Sequence, residues 1–185
     1  MRALVAELAA ARIGNTFNQY AGSRLLRERL EEYLDAKRTA AIVLVGEAAG
    51  YRGARISGIP FTSERQLTGT GPAEATASII HRVLAELRIE EDVLLWNVVP
   101  THPHEPGRPY TNRRPSRVEV EVSSRFLGGV ARGRRLVAVG RLAERATGAP
   151  YVRHPSHGGG AEFRHDLEEL LLRFRAGARS CAAFP

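Results

Sequence analysis

Four short apolar runs alternate with amphipathic segments along this chain, and that alternation constrains the fold more than any other feature. The runs are "AAIVLVG" (40–46), "DVLLWNVVP" (92–100), "RRLVAVG" (134–140) and "PYVRHPS" (150–156). The first is continuously apolar and rich in β-branched residues, as a strand buried on both faces of a parallel sheet must be. Helical patterns separate the runs. Residues 23–38 put Leu26, Leu30, Tyr33 and Leu34 on one face, with Ser23 placed to cap the start. Residues 71–89 read as a helix entered through Pro72, burying Ile79, Ile80, Val83, Leu84 and Leu87. Residues 116–132 read as a helix despite some alternation, because a Pro-Ser start precedes them and a strand follows; 141–148 and 162–176 complete the set. The expected architecture is three-layer α/β/α around a central four-stranded, mostly parallel sheet. At 185 residues the length fits one domain, 1–185, with 1–38 as a helical N-terminal extension.

Composition narrows the class. No apolar run approaches the roughly 20 residues that span a membrane. The opening "MRALVAELAAARIG" is broken by Glu7 and Arg12, so it reads as a helix or arm rather than a signal peptide. In the ending "CAAFP", Cys181 stands fifth from the end, one place off a prenylation box. One cysteine permits no disulfide framework, thiolate metal site or iron–sulfur cluster, and a cytoplasmic location is the default. The net charge of +7 favours a polyanionic partner. However, 26 of the 27 basic residues are arginine, a skew that genome base composition also produces.

In doubly wound sheets the ligand crevice lies beyond the carboxyl ends of the strands. Here those ends carry "GEAAGYRG" (46–53), "NVVPTHPH" (97–104), "GR" (140–141) and "RHPSHGGG" (153–160). Glu47 is the puzzle: Gly-rich loops after strands invite phosphate, and a carboxylate repels it. The loop lacks the Lys-Ser/Thr of a P-loop and does not match G-x-G-x-x-G. A metal site could draw on His102, His104, His154 and His157 with Glu47, against the stiffening of Pro103 and Pro155. A base pocket accounts for more residues. Asn97 ends a buried strand, where an amide needs partners, and its donors and acceptor match the O4 and N3–H edge of uracil. Phe61, reached through Gly58-Ile59-Pro60, offers a flat apolar face for stacking, or a plain core residue.

With those residues in place the sequence resembles the uracil-DNA glycosylase superfamily. "GEAAG" is similar to the first motif, G-E-x-P-G in the iron–sulfur branch and G-Q-D-P-Y in the best-known branch. Asn97 in "LLWNVVP" matches the uracil-reading Asn, "HPS" at 154–156 the second catalytic motif, and "SGIPFTSE" sets Phe61 at the stacking aromatic. The likeness runs from about Asn15 to Arg173. It implies a four-stranded parallel sheet between helices, in agreement with the reading above. It also implies a monofunctional enzyme that hydrolyses the N-glycosidic bond of uracil in DNA, in either single or double strands. Catalysis would fall to Glu47 and His154, base binding to Gly46, Tyr51, Phe61, Asn97 and Ser156, and DNA contact to Arg153, His157 and Gly158. The protein would act as a monomer without cofactor or metal. Three departures stand out. With one cysteine the chain would be a cluster-free member, Ala49 replaces the motif proline, and the water-orienting Asp and methyl-excluding Tyr would fall at Ala48 and Gly50. A weakly catalytic damaged-base or abasic-site binder and a His-ligated metal-dependent hydrolase remain as alternatives.

Overall fold

The computed structural model describes residues 1–181; the last four residues of "CAAFP" lie outside the described residues. In chain order the elements are α1 (Arg2–Ala10), β1 (Thr16–Phe17), α2 (Arg24–Ala36), β2 (Ile42–Ala48), α3 (Ala54–Ser57), α4 (Glu64–Thr68) and α5 (Ala75–Glu86). There follow β3 (Val93–Val99), β4 (His102–Pro103), α6 (Arg117–Ala131), β5 (Arg135–Val139), α7 (Arg141–Thr147), β6 (Tyr151–Val152) and α8 (Gly160–Cys181). Four strands make the central sheet in the order β3-β2-β5-β6, and every neighbouring pair is parallel. The expected three-layer α/β fold is the one observed.

Strand alternation divides the core in two. Ile42 and Leu44, with Val93, Leu95, Val137 and Val139, join Ile80, Val83 and Leu84 of α5 and Phe163 and Leu167 of α8. Val43, Val45, Leu94, Trp96 and Ala138 point the other way, toward Val5 and Leu8 of α1, Leu30 of α2, and Phe126 and Val130 of α6. Burying each such side chain is worth roughly 1.5–3 kcal/mol, so both faces must be covered for the sheet to be stable. The exposed edge at β3 is closed by Tyr33. Its hydroxyl accepts the Leu95 N–H at 2.6 Å, satisfying a strand donor that has no neighbouring strand.

Helix starts follow local chemistry. Ser23 accepts from the Leu26 N–H at 3.3 Å. Ser116 and Glu119 form a reciprocal capping box, which fixes the α6 helix that the alternating sequence obscured. Glu119, only 1% exposed, also takes a two-pronged bond from Arg113 at 2.6 and 2.8 Å. Burial would raise its carboxyl pKa, but the Arg113 hydrogen bonds and charge and the Ser116 N–H outweigh it and hold the group below its ordinary value. This buried clamp ties the end of the long 101–116 loop to α6.

The structure corrects the sequence reading in four places. Residues 1–38, expected as a helical extension, are helical in α1 and α2 but pack into the fold, with Val5 and Leu8 of α1 fully buried in the core. Residues 101–116, whose prolines and lack of any period read as one long irregular loop, are not wholly irregular: β4 pairs antiparallel with β1, Phe17 opposite His102, and the Thr16 and Thr101 hydroxyls meet at 2.6 Å. Residues 54–57 and 64–68 form short helices that their Gly and Pro neighbours hid. Helix α5 begins after Glu74 rather than at Pro72, whose carbonyl accepts from the Arg65 N–H in a turn. The only lysine, Lys37, donates to the Glu90 carbonyl at the amino ends of the strands, opposite the crevice. No described helix is long and apolar enough to cross a membrane.

Candidate active site

The carboxyl ends of the strands open onto a cavity of about 480 Å³. Its floor follows from one register. Gly46 of β2 stands opposite Asn97 of β3, and paired residues in a parallel ladder turn their side chains to the same face. A Cβ at position 46 would collide with Cζ of Phe61 and lie 2.9 Å from Oδ1 of Asn97. Only glycine lets the ring tip and the amide share this spot. Asn97 lies within β3 rather than at its end, is 2% exposed, and its amide bonds to no described residue. A buried amide without a protein partner costs free energy unless water or a ligand satisfies it. Phe61 belongs both to the apolar layer against α5 and to the cavity wall. Its φ of 51° is unusual for a bulky residue. The flanking turn holds it there: the Ser57 hydroxyl donates to the Thr62 carbonyl at 2.6 Å, and Thr62 Oγ1 lies 3.1 Å from His81 Nε2.

His154 enters from the loop after β6. The Ser156 N–H donates to His154 Nδ1 at 3.2 Å, and the Ser156 hydroxyl sits 2.8 Å from the same nitrogen. A nitrogen that accepts a backbone N–H carries no proton of its own, so the neutral ring holds its proton on Nε2. Burial lowers the His154 pKa below its usual value, and the positive charges of Arg153 and His157 add to the effect. The ring is therefore a neutral Nε2–H donor at neutral pH.

Two carboxyls line the same cavity. Half-buried Glu47 has its pKa raised by desolvation, while Arg114 and Arg145 pull it back down. Glu74, just before α5, was not singled out from the sequence. Its carboxyl packs where side chains on Gly50 and Gly53 would otherwise project, and burial alone raises its pKa, with no opposing hydrogen bond or charge. No local pattern links residue 74 to residues 50 and 53; the two glycines three apart were the only trace.

The structure brings Glu47, Phe61, Asn97, His154, Ser156 and His157 to the cavity, with Gly46 beneath it. It does not bring Tyr51, whose N–H donates to Asn112 Oδ1 at 3.0 Å and whose ring lies under Arg52. The Arg153 N–H is spent on Asp166 Oδ2, and neither the Arg153 side chain nor Gly158 lines the cavity. Arg114 and Arg141 take the basic positions instead. The loop histidines do not converge: no group of three or more metal-ligating side chains forms among the described residues. His102 is buried and directs Nδ1 to the Ala49 carbonyl at 2.8 Å, bracing the Gly46–Gly53 loop.

A model of the uracil DNA glycosylase superfamily matches residues 33–166. The chain belongs to the uracil DNA glycosylase superfamily. The wild-type SMUG2 of Pedobacter heparinus has a similar solved structure, with a TM-score of 0.68 over 96% of this chain and 98% of that one, at 11% identity. At that identity the likeness is one of fold. No curated protein matches the chain by sequence. Membership in this superfamily makes the protein a DNA glycosylase by class, with DNA as its partner.

The partly buried, desolvated Glu74 carboxyl gives a pH signature. A carboxyl whose folded pKa is raised above 4.5 contributes stability below that value and loses it as pH rises through the folded pKa. Urea midpoints measured from pH 4 to pH 8 should show Glu74→Gln gaining on wild type as pH rises, with the gap narrowing at the acid end. A constant difference across that range would mean that Glu74 ionises as freely in the fold as outside it.

Proposed function

We propose that this superfamily member is a monofunctional glycosylase that hydrolyses the N-glycosidic bond of uracil in DNA. The observation that supports it best is Asn97: a buried amide without a protein partner, brought beside the tip of the Phe61 ring over Gly46. Its NH₂ suits uracil O4, its oxygen suits N3–H, and the phenyl ring suits the base face. Extruding the nucleotide costs a few kcal/mol, least where uracil is mispaired or single-stranded. The net charge of +7 offsets part of that cost by phosphate attraction.

In the chemical step the bond from C1′ to N1 breaks with its electron pair leaving on the base. The sugar becomes cationic, and water adds its oxygen to C1′ and releases a proton. His154 Nε2–H donates to the uracil O2 as negative charge grows there; a donor of this kind is typically worth about a hundred- to a thousand-fold. Glu47 faces the developing sugar cation and the water. Its charge is attracted in the transition state and not in the ground state, which resolves the presence of a carboxylate in a loop that meets DNA. Strand scission by a glycosylase needs an amine to form a Schiff base. Lys37 at the far end of the sheet cannot supply it, and the one other amine, the N-terminal group, pairs with Asp35, which supports hydrolysis alone.

Asn97 tests base identity. Asn97→Asp replaces the NH₂ that faces O4 with an acceptor, so uracil release should fall by roughly five- to a hundred-fold, with any new activity on cytosine. Wild-type rates for Asn97→Ala would make the amide a structural feature of β3 and displace the pocket.

Glu47 tests the electrostatics. In single-turnover pH profiles the rate should fall as pH drops through a value above 4.5, where the raised Glu47 pKa lets the carboxylate protonate. Glu47→Gln and Glu47→Ala should both lose rate and the acid limb, while binding to an uncleavable uracil analogue holds or tightens. A Gln variant as fast as wild type beside a crippled Ala variant would assign Glu47 to holding the loop.

A further inference from the structure

One rim of the cavity carries an arrangement that uracil recognition does not use. The guanidinium carbon of Arg55, in α3, lies 5.1 Å from the centroid of the Phe17 ring and 5.4 Å from that of Tyr110. The three residues come from distant parts of the chain: Phe17 is held in the β1–β4 ladder, and Tyr110 comes from the long loop. Both rings are largely open, Phe17 at 44% and Tyr110 at 71% exposure, although aromatic rings normally seek burial. Arg55 has a buried Nε without a hydrogen-bond partner, and no carboxylate pairs with it among the described residues.

The arrangement is continuous with the cavity. Ala54, next to Arg55, and Asn112, two residues past Tyr110, both line it. The Arg55 N–H donates to the Gly50 carbonyl, so the guanidinium is mounted on the Gly46–Gly53 loop itself. An aromatic face backed by a fixed, unpaired cation suits a ligand with one flat apolar part and one anionic part. A nucleotide has both. An apolar protein surface would bury the cation without a counter-charge, at a cost. Paired bases hide their faces in the stack, so only an unpaired nucleotide can use the rings.

We propose that Phe17, Arg55 and Tyr110 form a second nucleotide subsite, which stacks an unpaired base flanking the one in the cavity and anchors its phosphate. The subsite gives the protein a preference for single-stranded or locally opened DNA. It rests on DNA as the partner and not on uracil as the excised base. Tyr110 supplies the stacking face, Arg55 the charge, and Phe17 the back wall that holds the guanidinium in place.

The test uses oligonucleotides without uracil, single-stranded and duplex, so it reads even if no uracil is released. Fluorescence anisotropy should show Tyr110→Ala losing about five- to a hundred-fold in single-strand affinity, the usual worth of one base–aromatic stack, with duplex affinity unchanged. Tyr110→Phe, which keeps the ring, should bind like wild type. A 2-aminopurine next to an uncleavable uracil analogue should be quenched by wild type and Tyr110→Phe and not by Tyr110→Ala. Equal losses on single strand and duplex would reduce the arrangement to a phosphate contact and overturn the subsite. Unchanged single-strand affinity in Tyr110→Ala would overturn it as well and leave the rings to a protein partner.

Discussion

The functional edge depends on a missing side chain. Gly46 is buried in β2 directly opposite Asn97 of the fully buried β3, at the one register position where both the amide and the tip of Phe61 must fit. Any Cβ there would drive the ring away from the strand, and the ring is already held at a left-handed φ that its turn must enforce. The parallel sheet fixes the amide, the α3–α4 turn fixes the ring, and glycine lets the two converge. The precision of the pocket is borrowed from the most rigid part of the fold, as preorganised sites require.

Around that floor the charged groups are arranged by burial more than by pairing. His154 is kept neutral by desolvation and tautomerically fixed by the Ser156 N–H. Glu47 is partly buried and is tempered by Arg114 and Arg145, whereas the desolvation of the partly buried Glu74 has no opposing charge. Arg113 has a different task. It is committed to Glu119, and through that clamp it holds the loop that delivers Asn112, Arg114 and Tyr110 to the rim. Neighbouring arginines in "NRRP" therefore do unlike work: both line the cavity, but Arg113 is committed to Glu119 while Arg114 acts on Glu47.

The sheet and its helices were legible in the sequence because burial on both faces leaves continuous apolar runs, and amphipathic helices leave a 3.6-residue period. Asn97 and Phe61 were legible for a related reason: a lone amide in an apolar strand and an aromatic after a Gly-Ile-Pro turn break the local pattern. What the sequence hid were contacts between distant segments. Glu74 answers to Gly50 and Gly53, His102 answers to Ala49, and the Tyr51 ring lies under Arg52 instead of lining the cavity. The β1–β4 ladder is too short to leave a period of its own. Spacing also suggested a histidine cluster that the fold spreads apart, since His102 and His104 serve loops near β4 while His154 serves the pocket.

On the proposed function, a metal-independent pocket built on Gly46, Asn97, Phe61 and His154 cleaves uracil from DNA by hydrolysis alone. The most direct measurement incubates the wild-type protein with a single-stranded, uracil-containing oligonucleotide in excess EDTA, and follows both free uracil and strand integrity. One equivalent of uracil should be released per site. The backbone should stay intact until alkali cleaves the abasic product, and borohydride should trap no covalent adduct. An oligonucleotide that keeps its uracil at stoichiometric protein, or release that appears only when zinc is restored, would contradict the account.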